Sequence, residues 1–418
     1  MFEFGKDIRR LFEKAGGSED LGWMEGISAS LVENEARTQS LESGRPTCTS
    51  PFGACLRACL LWREHARRTG HPQSLQRAES EARTAIRFAV NEEQTVRATI
   101  ELAQSILLAF DLIGGPDRLT ATETLLKHLP TPRRQYLADE IKAVVTRVNA
   151  RRATLDGDQT ALKTACNDLE MAVQTLKDQH AHSDLELRIE QANLSLTIGL
   201  MTRDFKRLDK VGQELRNLVE NAPGVQRPIS RGRALAICGM GMLALANLAK
   251  DETARKQGLS LMQAATDQFV MDHSPLDWAA IQLMRADAED SLSLTTVVQI
   301  EALTEQYGLV MGAEARERHL AMEIHEAEQA HDLLGLQQLE KCILSRLRDT
   351  VTLAVPLDWV SNQMGLARIA LARARLMDRP ADHLGLILIE AAETARERGA
   401  SALASRARDL LPHPQTAL

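Results

Sequence analysis

Apolar residues recur at helical intervals along most of the chain. Leu102, Ile106 and Phe110 fall on one face of a helix, with Glu101 and Gln104 between them. A spacing of three or four residues is that of an amphipathic α-helix. No run of alternating Val, Ile, Thr or Tyr is bounded by the turn signals of a hairpin. The pattern therefore predicts an all-α protein.

Helix starts follow one another at a regular interval. Ser50-Pro51, Thr131-Pro132 and Ser274-Pro275 place a capping hydroxyl before a proline, which suits a first helical turn. The tetrapeptide NEEQ at 91–94 has the spacing of a capping box. Weaker start signals lie near Pro72, Pro116, Asp158, Asp204, Ser230, Asp251, Thr295, Gly312, Asp332, Val355 and Ala381. Helices should thus begin roughly every 15 to 27 residues.

This regular spacing predicts an α-solenoid of stacked antiparallel helix pairs. Two such helices with their loops make a hairpin of roughly 40 to 45 residues. A single hairpin would expose its apolar face, so neighbouring hairpins must stack to bury it. A loop-like stretch at 40–51 predicts an N-terminal helical cap over residues 1–50 and a repeat array over residues 51–418.

One internal repeat is clear enough to compare with known repeats. The octapeptide PLDWAAIQ at 275–282 recurs as PLDWVSNQ at 356–363, about two hairpin lengths further on. Proline fixes the first helical φ, the Asp faces the positive end of the helix, and the Trp can pack against the preceding hairpin. We expect a helix-opening and stacking element at both places.

The Pro-Leu-Asp-Trp-x-x-x-Gln opening resembles the repeats of a bacterial branch of the tetratricopeptide-repeat family. The resemblance covers about residues 274–400, and the first copy departs further from the pattern than the second. It implies a right-handed superhelix with an inner wall formed by the first helix of each pair, and a groove that takes an extended peptide or a partner's helix. The family's inner-wall positions correspond to Asp287 and Arg368, which are therefore candidate partner-binding residues.

Composition narrows the choice of partner and compartment. With 418 residues, the chain needs several domains or an elongated array. A net charge of −7 argues against binding nucleic acid through phosphate neutralisation, and the Arg-rich stretch 146–152 is interpreted as a solvated helix face. The apolar stretch 234–246 is shorter than the roughly 20 residues of a membrane span. Six scattered cysteines and an N-terminus without a signal sequence indicate reduced thiols in a cytoplasmic protein.

No candidate chemical site has the residues that its chemistry requires. Cys48, Cys55, Cys59 and His65 lack the spacing of a zinc site and are expected to be packing residues. Glu328 and His331 form a single Glu-x-x-His where a di-iron bundle needs two, so His331, like His319 and His325, is interpreted as a helix-surface residue. Gly239-Met240-Gly241 lies inside a predicted helix and not after a strand, which excludes a dinucleotide fingerprint. We predict no metal, no cofactor and no catalysis.

These features favour a non-catalytic scaffold or adaptor that binds a protein or peptide in a concave groove. One alternative is a regulatory solenoid whose curvature responds to a bound peptide. Another is an enzyme built on an α/α toroid, with a pair of acids at the centre of a closed ring. Toroids that act on sugars line their clefts with aromatic residues, and aromatics are only 3% of this chain.

Overall fold

The computed structural model describes residues 22–176, 181–221, 227–289, 293–304, 309–349, 355–379 and 384–411. Within these ranges the chain is helical and forms no β-strand, which confirms the all-α prediction. A 3-10 turn at Gly22–Gly26 precedes the α-helices: α1 (Ala29–Ser43), α2 (Pro51–Thr69), α3 (Pro72–Phe88), α4 (Glu92–Ile113), α5 (Pro116–Lys127), α6 (Gln135–Asp156), α7 (Gln159–Leu176), α8 (Ala181–Thr202), α9 (Phe205–Asn221), α10 (Pro228–Ala249), α11 (Glu252–Gln268), α12 (Pro275–Glu289), α13 (Leu294–Thr304), α14 (Val310–Gln329), α15 (Leu333–Asp349), α16 (Pro356–Leu376), α17 (Leu384–Glu397) and α18 (Ser401–Asp409).

Most predicted helix starts coincide with observed ones. Ser50 Oγ accepts a hydrogen bond from the Gly53 N–H at 3.3 Å, and Asn91 Oδ1 accepts one from the Gln94 N–H at 2.9 Å. The predicted start at Thr131-Pro132 is wrong, because α6 begins only at Gln135. There the hydroxyl and proline lie in the loop before α6, where a fixed φ suits a turn as well as a helix start.

Contacts between residues divide the chain into two units. Unit 1 comprises residues 1–106 and 121–290, and unit 2 comprises residues 107–120 and 291–418. Residues 22–43 belong to unit 1, where Met24 and Val32 pack in one cluster with Trp62 of α2. The predicted boundary at residue 50 stays a prediction.

In unit 1, each helix packs on its neighbours in chain order. Shared apolar clusters join α2 to α4, α4 to α6, α6 to α8, α8 to α10 and α10 to α12. Sequential stacking of helix pairs is the arrangement predicted for a solenoid. In addition, α12 packs directly against α2, and the 3-10 turn packs against α10. The helices of unit 1 therefore form a closed ring, in which the last helix of the row, α12, returns to α2.

Unit 2 repeats the same kind of stacking on a smaller scale. Helix α14 packs on α13, α15 and α16, and α16 in turn packs on α17. One core cluster combines Ala313 of α14, Val360 and Met364 of α16, Leu388 of α17 and Leu403 of α18. The second Pro-Leu-Asp-Trp copy thus opens the central helix of this unit.

Helix α10 is the most apolar long helix of the described residues. By length and composition it is long enough to cross a membrane, and it is the one described helix that meets this criterion. In unit 1 it packs against α8, α9, α11 and α12. A Cβ on Gly239 would lie 2.9 Å from Met262 Cγ of α11 and 3.1 Å from the Gly258 oxygen. The glycine pair of this helix therefore permits close helix packing, as predicted.

Candidate functional site

The two residues predicted to bind a partner lie in different units. Asp287 is on α12 of unit 1, and its side chain lies outside the described residues. Arg368 is on α16 of unit 2, where its Nε and Nη2 donate to Glu317 Oε1 at 3.0 and 2.6 Å. Glu317 is 1% exposed and is also paired with Arg406 of α18. Arg368 is thus one of two partly exposed arginines that pair with a buried glutamate, and its role in partner binding stays a prediction.

The aspartates of the Pro-Leu-Asp-Trp repeat make equivalent ion pairs. Asp277 accepts hydrogen bonds from Arg233 Nε at 2.7 Å and Nη2 at 3.2 Å, and Arg233 lies on the preceding alternate helix, α10. Asp358 pairs with Arg316, which lies on the preceding alternate helix of unit 2, α14. The repeat therefore carries an interhelix ion pair as well as a helix-opening signal.

The tryptophans of the two copies also have similar surroundings. Trp278 is partly buried against a cluster that contains Leu235 and Ala236 of α10, and Trp359 is partly buried against a cluster that contains Ala313 of α14. In each unit the cluster includes residues of the helix that supplies the arginine. Both indoles pack at the joint between successive repeats, as the sequence predicted.

The same type of ion pair occurs twice more in unit 1, where the sequence motif is absent. Arg63 of α2 pairs with Glu101 of α4. Arg147 of α6 donates to Glu190 of α8 at 2.7 Å, and Arg151 pairs with the same carboxylate. The interpretation of stretch 146–152 as a solvated face is therefore wrong for Arg147 and Arg151. Their side chains are only about one-fifth exposed, and an acid on the next alternate helix neutralises their charges.

We call these ion pairs of the alternate helices of unit 1, together with the contacts of Arg67, the central network. Arg67 donates to Glu64 at 2.7 and 2.6 Å on its own helix, and its Nε lies 3.8 Å from Glu186 Oε1 of α8. Its Nη1 lies 4.0 Å from Asp277 Oδ2 of α12 and donates no hydrogen bond within the described part of the chain. The network consists of Arg63, Glu64, Arg67, Glu101, Arg147, Arg151, Glu186, Glu190, Arg233 and Asp277. It draws on α2, α4, α6, α8, α10 and α12, the alternate helices of unit 1.

The electrostatics of the network favour permanent charges. Burial alone would raise the pKa of Glu190, but Arg147 and Arg151 outweigh it and lower the pKa to about 2. Burial also opposes ionisation of Asp277, yet Arg233 and Arg67 hold its pKa below the usual range. Both carboxylates are therefore ionised at neutral pH. Such groups can hold complementary charges or N–H donors in place.

The candidate metal ligands have other surroundings. Cys55 and Cys59 are buried, and burial raises the pKa of their thiols to about 11 and about 12. His65 shares its Nδ1 with Ser74 Oγ at 2.9 Å. Among the described residues no group of three or more His, Cys, Asp or Glu side chains is arranged to hold a metal ion.

The histidines of α14 and its C-terminal end differ from one another. His331 is exposed and follows α14, whereas Glu328 pairs with Arg375 of α16 at 2.5 and 2.8 Å. His319 is not a plain surface residue, because its Nδ1 lies 2.6 Å from Glu301 Oε2 of α13. Glu301 also contacts Arg316, which links this histidine to the ion pair of the second repeat.

Sequence reasoning missed most of the central network. The signal was present as an arginine and an acid 38 to 44 residues apart, since this is the separation of Arg63 from Glu101 and of Arg233 from Asp277. Arginine and glutamate are so frequent in helices that the spacing becomes visible only once the helices have been paired.

Comparisons with known proteins identify no family for this chain. No protein-family model matches the chain, and no curated protein matches it. A solved structure, described as a circular tandem repeat protein with novel repeat topology and enhanced subunit contact surfaces, aligns with 91% of this chain and 89% of its own. The sequence identity is 15% and the TM-score is 0.22, values too low to support an argument about function. The sequential packing of its helices shows that the chain is a helical repeat solenoid.

Proposed function

We propose that this protein is a non-catalytic scaffold that binds a protein or peptide through the central network of unit 1, and that its repeats are of the tetratricopeptide type. The observation that carries the proposal is the series of ion pairs that charged side chains form between the alternate helices of unit 1. In the tetratricopeptide-repeat family, the first helix of each successive pair forms the inner wall of the groove. In this chain, the alternate helices α2, α4, α6, α8, α10 and α12 supply the central network. We further propose a cytoplasmic location and no nucleic-acid partner.

The network has the chemistry of a peptide-binding surface. The network contains both arginine donors and carboxylate acceptors, and an extended peptide offers both N–H and C=O groups as well as charged termini. Arg67 is 14% exposed and Glu186 is 36% exposed, so the network is not fully covered by protein atoms. Its ion pairs hold the side chains in place before binding, which reduces the entropy lost on association.

The closed ring of unit 1 favours a second candidate, an enzyme on an α/α toroid. A glycoside hydrolase of this type needs one carboxylic acid with a raised pKa to protonate the leaving group. In the central network the pKa values of Glu190 and Asp277 are lowered and not raised. Neither of these two carboxylates therefore suits the role of the proton donor. A regulatory solenoid that responds to a peptide would use the same surface.

A displayed library of random linear peptides, selected on the immobilised full chain, tests the proposal. We expect an enriched motif whose binding is at least tenfold weaker with the Glu186→Gln variant, because this carboxylate is the most exposed of those around Arg67. The double variant Asp287→Ala/Arg368→Ala tests the two positions carried over from the family.

The matched control is Glu42→Gln, which removes an exposed carboxylate paired with its neighbour Arg45. Its peptide binding should equal that of the unmodified chain. Selection without any enriched motif, or a motif that binds Glu186→Gln and the unmodified chain equally, would contradict a binding role for the network. Hydrolysis of a sugar library by the unmodified chain would favour the toroid enzyme instead.

A further inference from the structure

The junction at which the ring of unit 1 closes, between α12 and α2, differs from the other junctions between alternate helices. From α2 along the chain to α12, each junction has an apolar cluster that contains residues of both helices. At the closing junction, which we call the seam, one cluster combines α2 with α1, α3 and α4, and another combines α12 with α10 and α11. Neither of these two clusters crosses the seam.

The 3-10 turn at Gly22–Gly26 belongs to the α2 side of the seam. Met24 is 2% exposed and packs, together with Trp23 and Ile27, in the cluster of α1 and α2. Arg68 of α2 also donates to the carbonyl oxygens of Met24 and Ile27. The turn therefore stays attached to α2 if the two sides of the seam separate.

Polar groups in and beside the same turn bridge the seam. The Glu25 carboxylate accepts hydrogen bonds from the N–H and the hydroxyl of Ser230 at the start of α10, and it lies 3.9 Å from Arg227 Nη1. The Ala29 N–H at the start of α1 donates to the Asp272 carbonyl oxygen, before α12, at 2.9 Å. These contacts join the two sides through hydrogen bonds and charge.

A junction of this kind separates more easily than one with a shared apolar cluster. Separation of two helices that share a cluster exposes it to water, at a cost that grows with its apolar area. Polar groups that lose a partner gain hydrogen bonds to water, so the net loss for each bond is small. Segments held by few apolar contacts open locally, without global unfolding. The seam is therefore where the ring opens at the lowest cost.

Opening is relevant to binding because the inner side of the ring is enclosed. Arg67 of α2 lies 3.8 Å from Glu186 of α8, although two alternate helices separate α2 from α8 in either direction around the ring. Its guanidinium also lies 4.0 Å from Asp277 of α12. A peptide that approaches the central network from the side has to pass between two alternate helices.

We propose that the 3-10 turn is a clasp, and that release of Glu25 from Ser230 opens the seam and admits a peptide to the central network. This role of the turn rests on the proposed function, because it concerns entry to the same binding surface. The turn stays on α2 when the clasp is released, so the seam can close again once the peptide is inside.

Hydrogen exchange of the full chain, measured by mass spectrometry, tests the clasp without any peptide. In Glu25→Gln, exchange in segments 22–34, 227–236 and 270–280 should accelerate at least tenfold more than in segment 98–106. The first three segments flank the seam, whereas the last lies in α4, which shares apolar clusters with both α2 and α6. Local opening predicts this difference, and global unfolding does not.

A milder variant, Ser230→Ala, removes the hydroxyl donor and keeps the N–H, so it should accelerate exchange at the seam less than Glu25→Gln. It provides the same comparison if Glu25→Gln does not fold. The matched control is Glu317→Gln in unit 2, since Glu317 is also 1% exposed and pairs with arginines. Its replacement should leave exchange at the seam unchanged. Equal acceleration at the seam and in segment 98–106, or none at the seam, would overturn the clasp.

A second measurement tests entry with the peptide selected on the immobilised chain. Its association rate should rise at least fivefold in Glu25→Gln, because a larger fraction of the molecules is open. An equal rate in the variant and the unmodified chain would overturn entry through the seam. If the selection yields no peptide, the proposed function and the mode of entry both fail, whereas hydrogen exchange still decides whether the turn is a clasp.

Discussion

At the scale of single residues, two buried charges hold the 3-10 turn at Gly22–Gly26 in unit 1. Glu25 is 1% exposed, and its carboxylate accepts hydrogen bonds from the Ser230 N–H at 2.7 Å and the Ser230 hydroxyl at 2.5 Å, at the start of α10. Arg68 is fully buried and donates to the carbonyl oxygens of Met24 at 2.7 Å and Ile27 at 2.8 Å. A carboxylate at the positive end of a helix and an arginine on two carbonyls are both strong arrangements.

We predict that Glu25→Gln lowers the free energy of unfolding by about 1–3 kcal/mol, because an amide N–H₂ would then face donors at the start of α10. Urea denaturation of the full chain followed by circular dichroism measures this. Glu42→Gln removes a carboxylate from an exposed pair and should cost less than about 0.5 kcal/mol. Equal midpoints for the two variants would show that the buried carboxylate contributes no more than a surface one.

A second residue-scale prediction concerns acid stability. Burial lowers the pKa of His65 to about 4, although Glu33 opposes the shift. The unfolded chain has a histidine pKa near 6.5, so between about pH 6.5 and pH 4 the unfolded state takes up a proton that the folded state does not. Stability associated with His65 is therefore complete above about pH 6.5 and decreases as the pH falls, by up to about 3 kcal/mol.

The variant His65→Gln should remove this part of the pH dependence, and denaturation at half-unit steps between pH 4 and pH 7 measures it. The exposed residue His331 provides the control, since His331→Gln should leave the slope unchanged. If His65→Gln and the unmodified chain lose stability in parallel, burial of this imidazole is not the cause.

At the scale of helices, the repeat opening works as a joint between successive hairpins. Ser274 Oγ contacts the Asp277 carboxylate at the start of α12, and Arg233 reaches the same carboxylate from α10. In the second copy, Arg316 pairs with Asp358 and also lies 3.3 Å from Glu301. Loss of the aspartate thus leaves the arginine with another carboxylate in the second copy.

We therefore predict that Asp277→Asn destabilises the protein by about 1–3 kcal/mol, and that Asp358→Asn costs less. Calorimetric melting of both variants measures the difference. Asp267→Asn on α11 is the control, because Asp267 is exposed and accepts a hydrogen bond from Gln263 on its own helix. A larger loss for Asp358→Asn than for Asp277→Asn would contradict the assignment of the two joints.

At the scale of the whole molecule, unit 2 is built from two distant parts of the chain. It combines residues 107–120 with residues 291–418. Gly114 lies where these parts meet, with a φ of +75°, and a Cβ at this position would lie 1.9 Å from the Arg398 oxygen. Only glycine permits both the left-handed backbone and the close approach.

We predict that Gly114→Ala costs more than twice as much stability as Gly157→Ala. Gly157 ends α6 with a φ of +69°, but no atom lies within 4 Å of the position that a methyl group would occupy there, so its replacement costs only the backbone strain of about 1–2 kcal/mol. Chemical denaturation gives the two free energies, and hydrogen exchange over residues 107–120 and 391–404 locates the loss. Equal costs would show that the contact with Arg398 is not required in unit 2.

The sequence predicted the helices well because their signals are local. Caps, prolines and apolar spacing act within a few residues, so α2, α4 and α12 begin where the pattern placed them. The error at Pro132 has the same origin, since a proline in a loop gives the same local signal as a proline in a first turn. The candidate site was predicted less well, because Asp277 was interpreted only through its own helix.

The local pattern of apolar residues specified an all-helical chain of stacked pairs, since in a chain of helices an amphipathic helix can bury its apolar face only against another helix. The packing of distant helices decided that α12 returns to α2 and that Arg147 and Arg151 neutralise Glu190. Each of these contacts depends on the angles between successive helix pairs, and small differences in these angles add up along the chain. The accumulated angle determines which distant charges meet, and a short stretch of sequence does not specify it.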